Sequence, residues 1–118
     1  MDRAATIATF AEFWPFYVSQ HRRPATRALH FGGTTIGLLC LGRAIAFQQP
    51  FFALWGLAGS YGLAWIGHFF IERNRPATFQ YPLWSLLGDF KMYALMWTGR
   101  MDAEVRRLGA AADGSRPT

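Results

Sequence analysis

Apolar positions in this chain fall in long runs, without the two-residue alternation between hairpin turns that strands require. The longest run, "FFALWGLAGSYGLAWIGHFFIE" (residues 51–72), is uncharged up to its final residue. It has the roughly 20-residue length that a bilayer core demands. A second run, "RALHFGGTTIGLLCLGRAIAF", precedes it and is broken by Arg43 near its end. Between the two lies "QQP" (Gln48 to Pro50), which reads as a turn.

The pattern predicts an all-α chain. A first, aromatic-rich helix covers Thr9 to His21, with Pro15 inside it and Pro24 ending it. Helix two starts near Ala25, and helix three covers 51–72 and stops at "RNRP", because Pro76 disfavours helix at the residue before it. "ATFQY" is a loop, and Pro82 opens helix four, "PLWSLLGDFKMYALMWTGRM". Helices two and three form a transmembrane hairpin, helix three being the stronger span. Gly56, Gly59 and Gly62, with Ser60, give helix three a small side for close packing. Arg43 reaches the headgroups from a helix end. A pair of helices dipping into one leaflet is the rival arrangement. Helix four mixes Asp89 and Lys91 with Trp84, Phe90 and Trp97, so it lies at the interface instead of spanning. The expected organisation is one small helical membrane domain, 1–108, with a flexible tail, 109–118.

Composition supports lipid over water: 52% of residues are hydrophobic, 17% aromatic and only 16% charged. The net charge of +5 would suit nucleic acid if it were clustered, but the basic residues flank the apolar runs. Arg22, Arg23 and Arg27 precede helix two; Arg73, Arg75, Lys91 and Arg100 follow helix three. The positive-inside rule then puts both termini on the cytoplasmic side of an integral membrane protein, with no nucleic-acid partner. The N-terminus lacks the pattern of a secretion signal. Cys40 reads as a small buried hydrophobe.

The chain has 3 histidines, His21, His30 and His68. A hairpin sets the start of helix two and the end of helix three on one side of the membrane, so all three are expected to meet at its cytoplasmic edge. Pro24 lets His21 and His30 converge despite their nine-residue separation. His68 and Glu72 share a helical face, on a stripe with Tyr61 and Trp65. Three neutral imidazoles beside a carboxylate suit a divalent transition metal. Glu72 is a fourth ligand or an acceptor fixing the His68 tautomer, and Asp89 is a further candidate carboxylate. Singly, each histidine is more commonly an interfacial or capping residue, and the H-x8-H spacing matches no standard zinc pattern. No serine has a nucleophile-elbow context, and "HFGGTTIG" follows no strand, so it is a poor phosphate loop.

"FYVSQHRRPATRALHFGGT", "WIGHFFIERNRPATF" and "YPLWSLLGDFKMY" together resemble the 2-hydroxy fatty acid dioxygenase family of phytosphingosine breakdown, in its small bacterial branch. The resemblance covers about residues 10 to 100. It implies a membrane-held, Fe(II)-dependent enzyme of fatty acid α-oxidation that uses dioxygen to remove one carbon from a 2-hydroxy acyl chain. It also implies His21, His30 and His68 as iron ligands, with Glu72 at the family's acidic position. Thr26 stands where the family pattern has an asparagine. A 2-hydroxy acid chelates iron through its carboxylate and hydroxyl. Arg27, Arg73, Arg75 or Lys91 would hold that carboxylate, and the acyl tail would run past Trp65 and Tyr61. Membrane lipids are the surrounding partners, and oligomerisation is left open. Two other classes compete: a non-enzymatic membrane module whose histidines satisfy helix ends, and a zinc-dependent lipid hydrolase using the same ligands.

Overall fold

Our computed structural model describes residues 7–114, with side-chain placement through residue 109. The described residues are helical and contain no strand. They fall into two compact units, His21–Pro76 and the remainder.

The His21–Pro76 unit is an antiparallel helical hairpin. Helix α2 spans Pro24–Ala46, with Pro24 at its first position, where the missing N–H has no helical partner to lose. Helix α3 spans Phe51–Ile66. The turn between them sits where "QQP" places it, with Gln48 in the left-handed region at φ 53°. Arg43 serves that turn: its Nε–H donates to Gln49 Oε1 at 3.1 Å, and its guanidinium lies 5.1 Å from the Phe47 ring centroid and 4.8 Å from that of Phe52. Of the glycines expected to allow close packing, Gly56 does so: a Cβ there would stand 2.9 Å from Cys40 Cβ. On the facing helix a Cβ on Gly33 would stand 2.8 Å from the Ser60 carbonyl oxygen. Gly62 faces open space.

Helix three departs from the uninterrupted helix expected through residue 72. The α-helix ends at Ile66, and Gly67–Glu72 form a π-helical segment. Among the described residues, α2 is the helix long and apolar enough to cross a membrane, by length and composition. The sequence pattern favours helix three instead, because it counts the π-helical residues into one continuous run.

The second unit contains α1 (Phe10–Ser19), a 3-10 turn (Ala77–Phe79), α4 (Pro82–Trp97) and α5 (Met101–Gly114). Thr9 caps α1, its Oγ1 accepting from Glu12 N–H, while Glu12 Oε1 accepts from Ala8 N–H. Phe13, Trp14, Tyr17, Val18, Ala77, Met92 and Met101 form its core. The sequence pattern does not mark helix α5. Its mean hydropathy is low, yet Met101 is buried in the core, Val105 and Leu108 pack against it one helical turn apart, and Trp14 Nε1–H donates to Glu104 Oε2 at 2.6 Å. The expected tail from residue 109 falls on its last turns as far as Gly114, and residues 1–6 and 115–118 lie outside the described residues.

Asp89 belongs to this unit, where its Oδ1 accepts from the Tyr17 hydroxyl at 2.5 Å. Gly88 makes the approach feasible, since a Cβ there would stand 2.8 Å from the Tyr17 ring. Burial pushes the Asp89 carboxyl up from 3.8 to about 6, and the hydrogen bond from Tyr17 opposes this only in part. The folded chain therefore holds the Asp89 proton more tightly than the unfolded chain. The resulting stability is fully present below pH 3.8 and is lost as pH rises through about 6. Asp89 keeps a partly exposed edge. That exposure limits the effect to about 2 kcal/mol. Asp89→Asn should therefore be more stable than the parent at pH 8 and no more stable at pH 4. Melting curves at both pH values check this; a constant difference between the two proteins would contradict it.

Candidate metal centre

Three local devices bring the imidazoles together. His21 stands in the extended link before α2, His30 lies in the second turn of α2, and His68 lies in the π-helical segment. A π-turn shifts the side-chain register relative to the α-helix before it, re-aiming the residues that follow, and such turns recur at functional sites. Gly67 lets this segment close on α2, because a Cβ there would meet Thr26 Cγ2 at 3.0 Å.

All three rings are buried, with 1%, 6% and 2% of His21, His30 and His68 exposed. Their centroids lie 4.4 Å (His21–His30), 4.5 Å (His21–His68) and 5.1 Å (His30–His68) apart, with planes near perpendicular. One ring nitrogen from each lies within 4.8 Å of the others. His21 Nε2 and His30 Nε2 are separated by 3.2 Å. With metal–imidazole bonds of roughly 2.1 Å, neighbouring nitrogens stand about 3.0 Å apart in octahedral and about 3.4 Å apart in tetrahedral coordination. The observed separation falls between those limits. The donor set thus fits a first-row transition ion such as iron or zinc, and imidazole alone does not select between them. The Thr26 hydroxyl, one helical turn before His30, is fully buried and has no hydrogen-bond partner, so a polar group is also left over beside the rings.

The carboxylates and cations around this cluster take other places. Glu72 is not part of the three-imidazole group; its Oε2 accepts from Arg23 N–H at 2.6 Å, tying the link that carries His21 to the π-helical segment. Arg27 is buried, and its guanidinium donates to the His21 and Arg22 carbonyls at 2.8 Å each. Both residues shape the same link. Arg73 and Arg75 line a surface depression with Phe69, Phe70 and Asn74. Tyr61 and Trp65 lie on α3 with ring centroids 6.0 Å apart. Asp89 and Lys91 are placed by the other unit, where the Lys91 ammonium sits 4.4 Å from the Trp14 ring centroid.

One neighbour escapes sequence reasoning. His68 Nδ1 lies 2.7 Å from Asn74 Oδ1. An amide side chain just past a ligand-bearing helix end is the only linear signal, and "RNRP" reads first as a terminator.

A helical chain with a buried three-histidine cluster in an apolar hairpin falls in the class of small helical proteins whose gathered imidazoles could hold a metal ion. Within that class the family is settled by sequence: residues 7–101 match the family described as 2-hydroxy-palmitic acid dioxygenase Mpo1-like, and the chain belongs to it. Neither a curated protein nor a solved structure matches.

Proposed function

We propose that this chain is a membrane-embedded, Fe(II)-dependent dioxygenase acting in the α-oxidation of 2-hydroxy fatty acids. The observation that carries the reading is the meeting of His21, His30 and His68 in a chain of this family. Iron(II), held by these three imidazoles, would supply the electrons that activate dioxygen toward a 2-hydroxy acid. Loss of one carbon as CO2 balances with one dioxygen, leaving a fatty acid one carbon shorter and water.

The protein's own groups have separable tasks. Arg73 and Arg75, beside Phe69 and Phe70, suit a carboxylate with an apolar chain behind it. Tyr61 and Trp65 continue the apolar path along α3. Glu72 and Arg27 hold His21 in place through the link before α2.

The hairpin α2–α3 is the membrane element of the proposal. Its outer surface is apolar on a scale that water does not tolerate. Leu39, Ile45, Phe51 and Trp55 are 70%, 72%, 73% and 67% exposed. Helix α2 has 23 residues. At roughly 1.5 Å per residue it extends about 34 Å, enough for a hydrocarbon core of about 30 Å. Helix α3 has 16 residues, and the π-helical segment lengthens that run. Alone, α3 extends about 24 Å. Arg22, Arg23, Arg73 and Arg75 gather at the histidine end, which the positive-inside rule orients to the cytoplasm.

The test is oxygen uptake by detergent-purified protein given 2-hydroxypalmitate, with and without Fe(II). The expected result is Fe(II)-dependent uptake, one dioxygen per pentadecanoic acid formed. Turnover that needs no dioxygen and is supported by Zn(II) would replace this reading with a hydrolase. Metal-free, stable and inactive protein would leave a membrane module.

A further inference from the structure

We infer that Asn74 is the positioning residue that fixes which nitrogen of His68 faces the metal. This rests on the reading of the histidine cluster as a metal site. A carboxamide oxygen can only accept a hydrogen bond. The 2.7 Å contact between His68 Nδ1 and Asn74 Oδ1 therefore assigns the hydrogen to Nδ1. The lone pair is then on Nε2, the same nitrogen through which His21 and His30 approach each other. All three histidines thus present Nε2, and for His68 the choice is made by one side chain six residues on.

The backbone is bent to deliver that side chain. Arg73 adopts φ 61° and ψ 46°. That left-handed conformation is one that glycine, not arginine, usually occupies. The Arg73 N–H turns back to the His68 carbonyl, and so does the N–H of Asn74, at 2.9 Å. Such backward bonds close helix C-termini generally. Asn74 consequently grips His68 at both ends, backbone to backbone and amide to ring. Glu72, the other nearby acceptor, is engaged by Arg23 N–H. An outer partner of this kind orients a ligand ring and raises its basicity, and its loss typically lowers metal affinity about 10- to 100-fold.

The experiment uses the full chain in detergent micelles and two readouts that do not depend on turnover. Anaerobic Co(II) titration gives affinity, and ring 15N shifts of the metal-free protein give the His68 tautomer. The parent should show His68 protonated at Nδ1. Asn74→Asp retains an acceptor and should keep that tautomer and an affinity within a few-fold of the parent. Asn74→Ala should weaken Co(II) binding about 10- to 100-fold and release the tautomer. Arg73→Gly keeps the left-handed turn and should leave both readouts unchanged. Parental affinity in Asn74→Ala, or an Nε2–H tautomer in the metal-free parent, overturns the inference; the second holds even if Asn74→Ala does not fold. His68→Ala separates the two levels of the claim. If it binds Co(II) as the parent does, the metal-site reading fails; if it loses Co(II) while Asn74→Ala does not, only the role of Asn74 fails.

Discussion

His68→Gln, His30→Gln and His21→Gln should each bind Fe(II) on the order of 100-fold more weakly than the parent and lose activity, while remaining helical. The magnitude follows from dividing a structural metal-binding free energy of roughly 10–16 kcal/mol among its ligands, which leaves about 3 kcal/mol for each. Glutamine is chosen because these positions are buried and would not close around an alanine-sized gap without disturbing their neighbours. Equilibrium dialysis against Fe(II) under nitrogen, with circular dichroism on the same samples, separates loss of a ligand from loss of fold. If one of the three variants retained parental affinity, that histidine would be a structural residue and the site would have a different composition.

Gly33→Ala should produce the second large effect, through packing instead of ligation. The added Cβ would stand 2.8 Å from the carbonyl oxygen and 3.2 Å from the Cα of Ser60. Both are backbone atoms, so no side-chain rotation relieves the clash, and α2 must move off α3. Overpacking of this kind costs about 1–3 kcal/mol. Gly33 lies three residues after His30 and Ser60 eight before His68, so the wedge opens next to the cluster. Metal affinity is expected to fall together with stability. Gly62→Ala on the same hairpin meets nothing within 4 Å. It should be neutral or slightly stabilising, as glycine-to-alanine changes in exposed helix are. Thermal melts and Fe(II) titration of the two variants check the contrast; equal behaviour would mean that the close helix contact does not hold the site together.

Much of this arrangement could be read from the linear sequence, for identifiable reasons. Pro24, Pro76 and Pro82 punctuate the helices where backbone chemistry requires. The fold-back at "QQP" is enough to bring residues 21, 30 and 68 to one end of a hairpin, whatever its surroundings. What escaped has no periodic signature. A π-helical segment differs from an α-helix only in where its carbonyls find partners, and nothing in "GHFFIE" announces that. Glu72 shares the expected face with His68, yet its carboxylate is claimed by a backbone N–H 49 positions away. Arg27 has the look of a substrate cation and instead binds the carbonyls of the link before its own helix. Tyr17 and Asp89, 72 residues apart, pair through tertiary packing that no spacing rule anticipates. Helix α5 carries only a narrow apolar stripe, Met101, Val105 and Leu108, set among charged and small residues that lower its overall hydropathy and hide it in a linear reading.

The proposed function requires a single ferrous ion held by the three imidazoles that the fold-back of α2 and α3 gathers. X-ray absorption of the Fe(II)-reconstituted protein tests it most directly. One iron per chain is expected, with imidazole scattering that fits three nitrogen ligands at about 2.1 Å and loses one of them in His68→Gln. Iron bound only by oxygen ligands, or a spectrum that His68→Gln leaves unchanged, would contradict it.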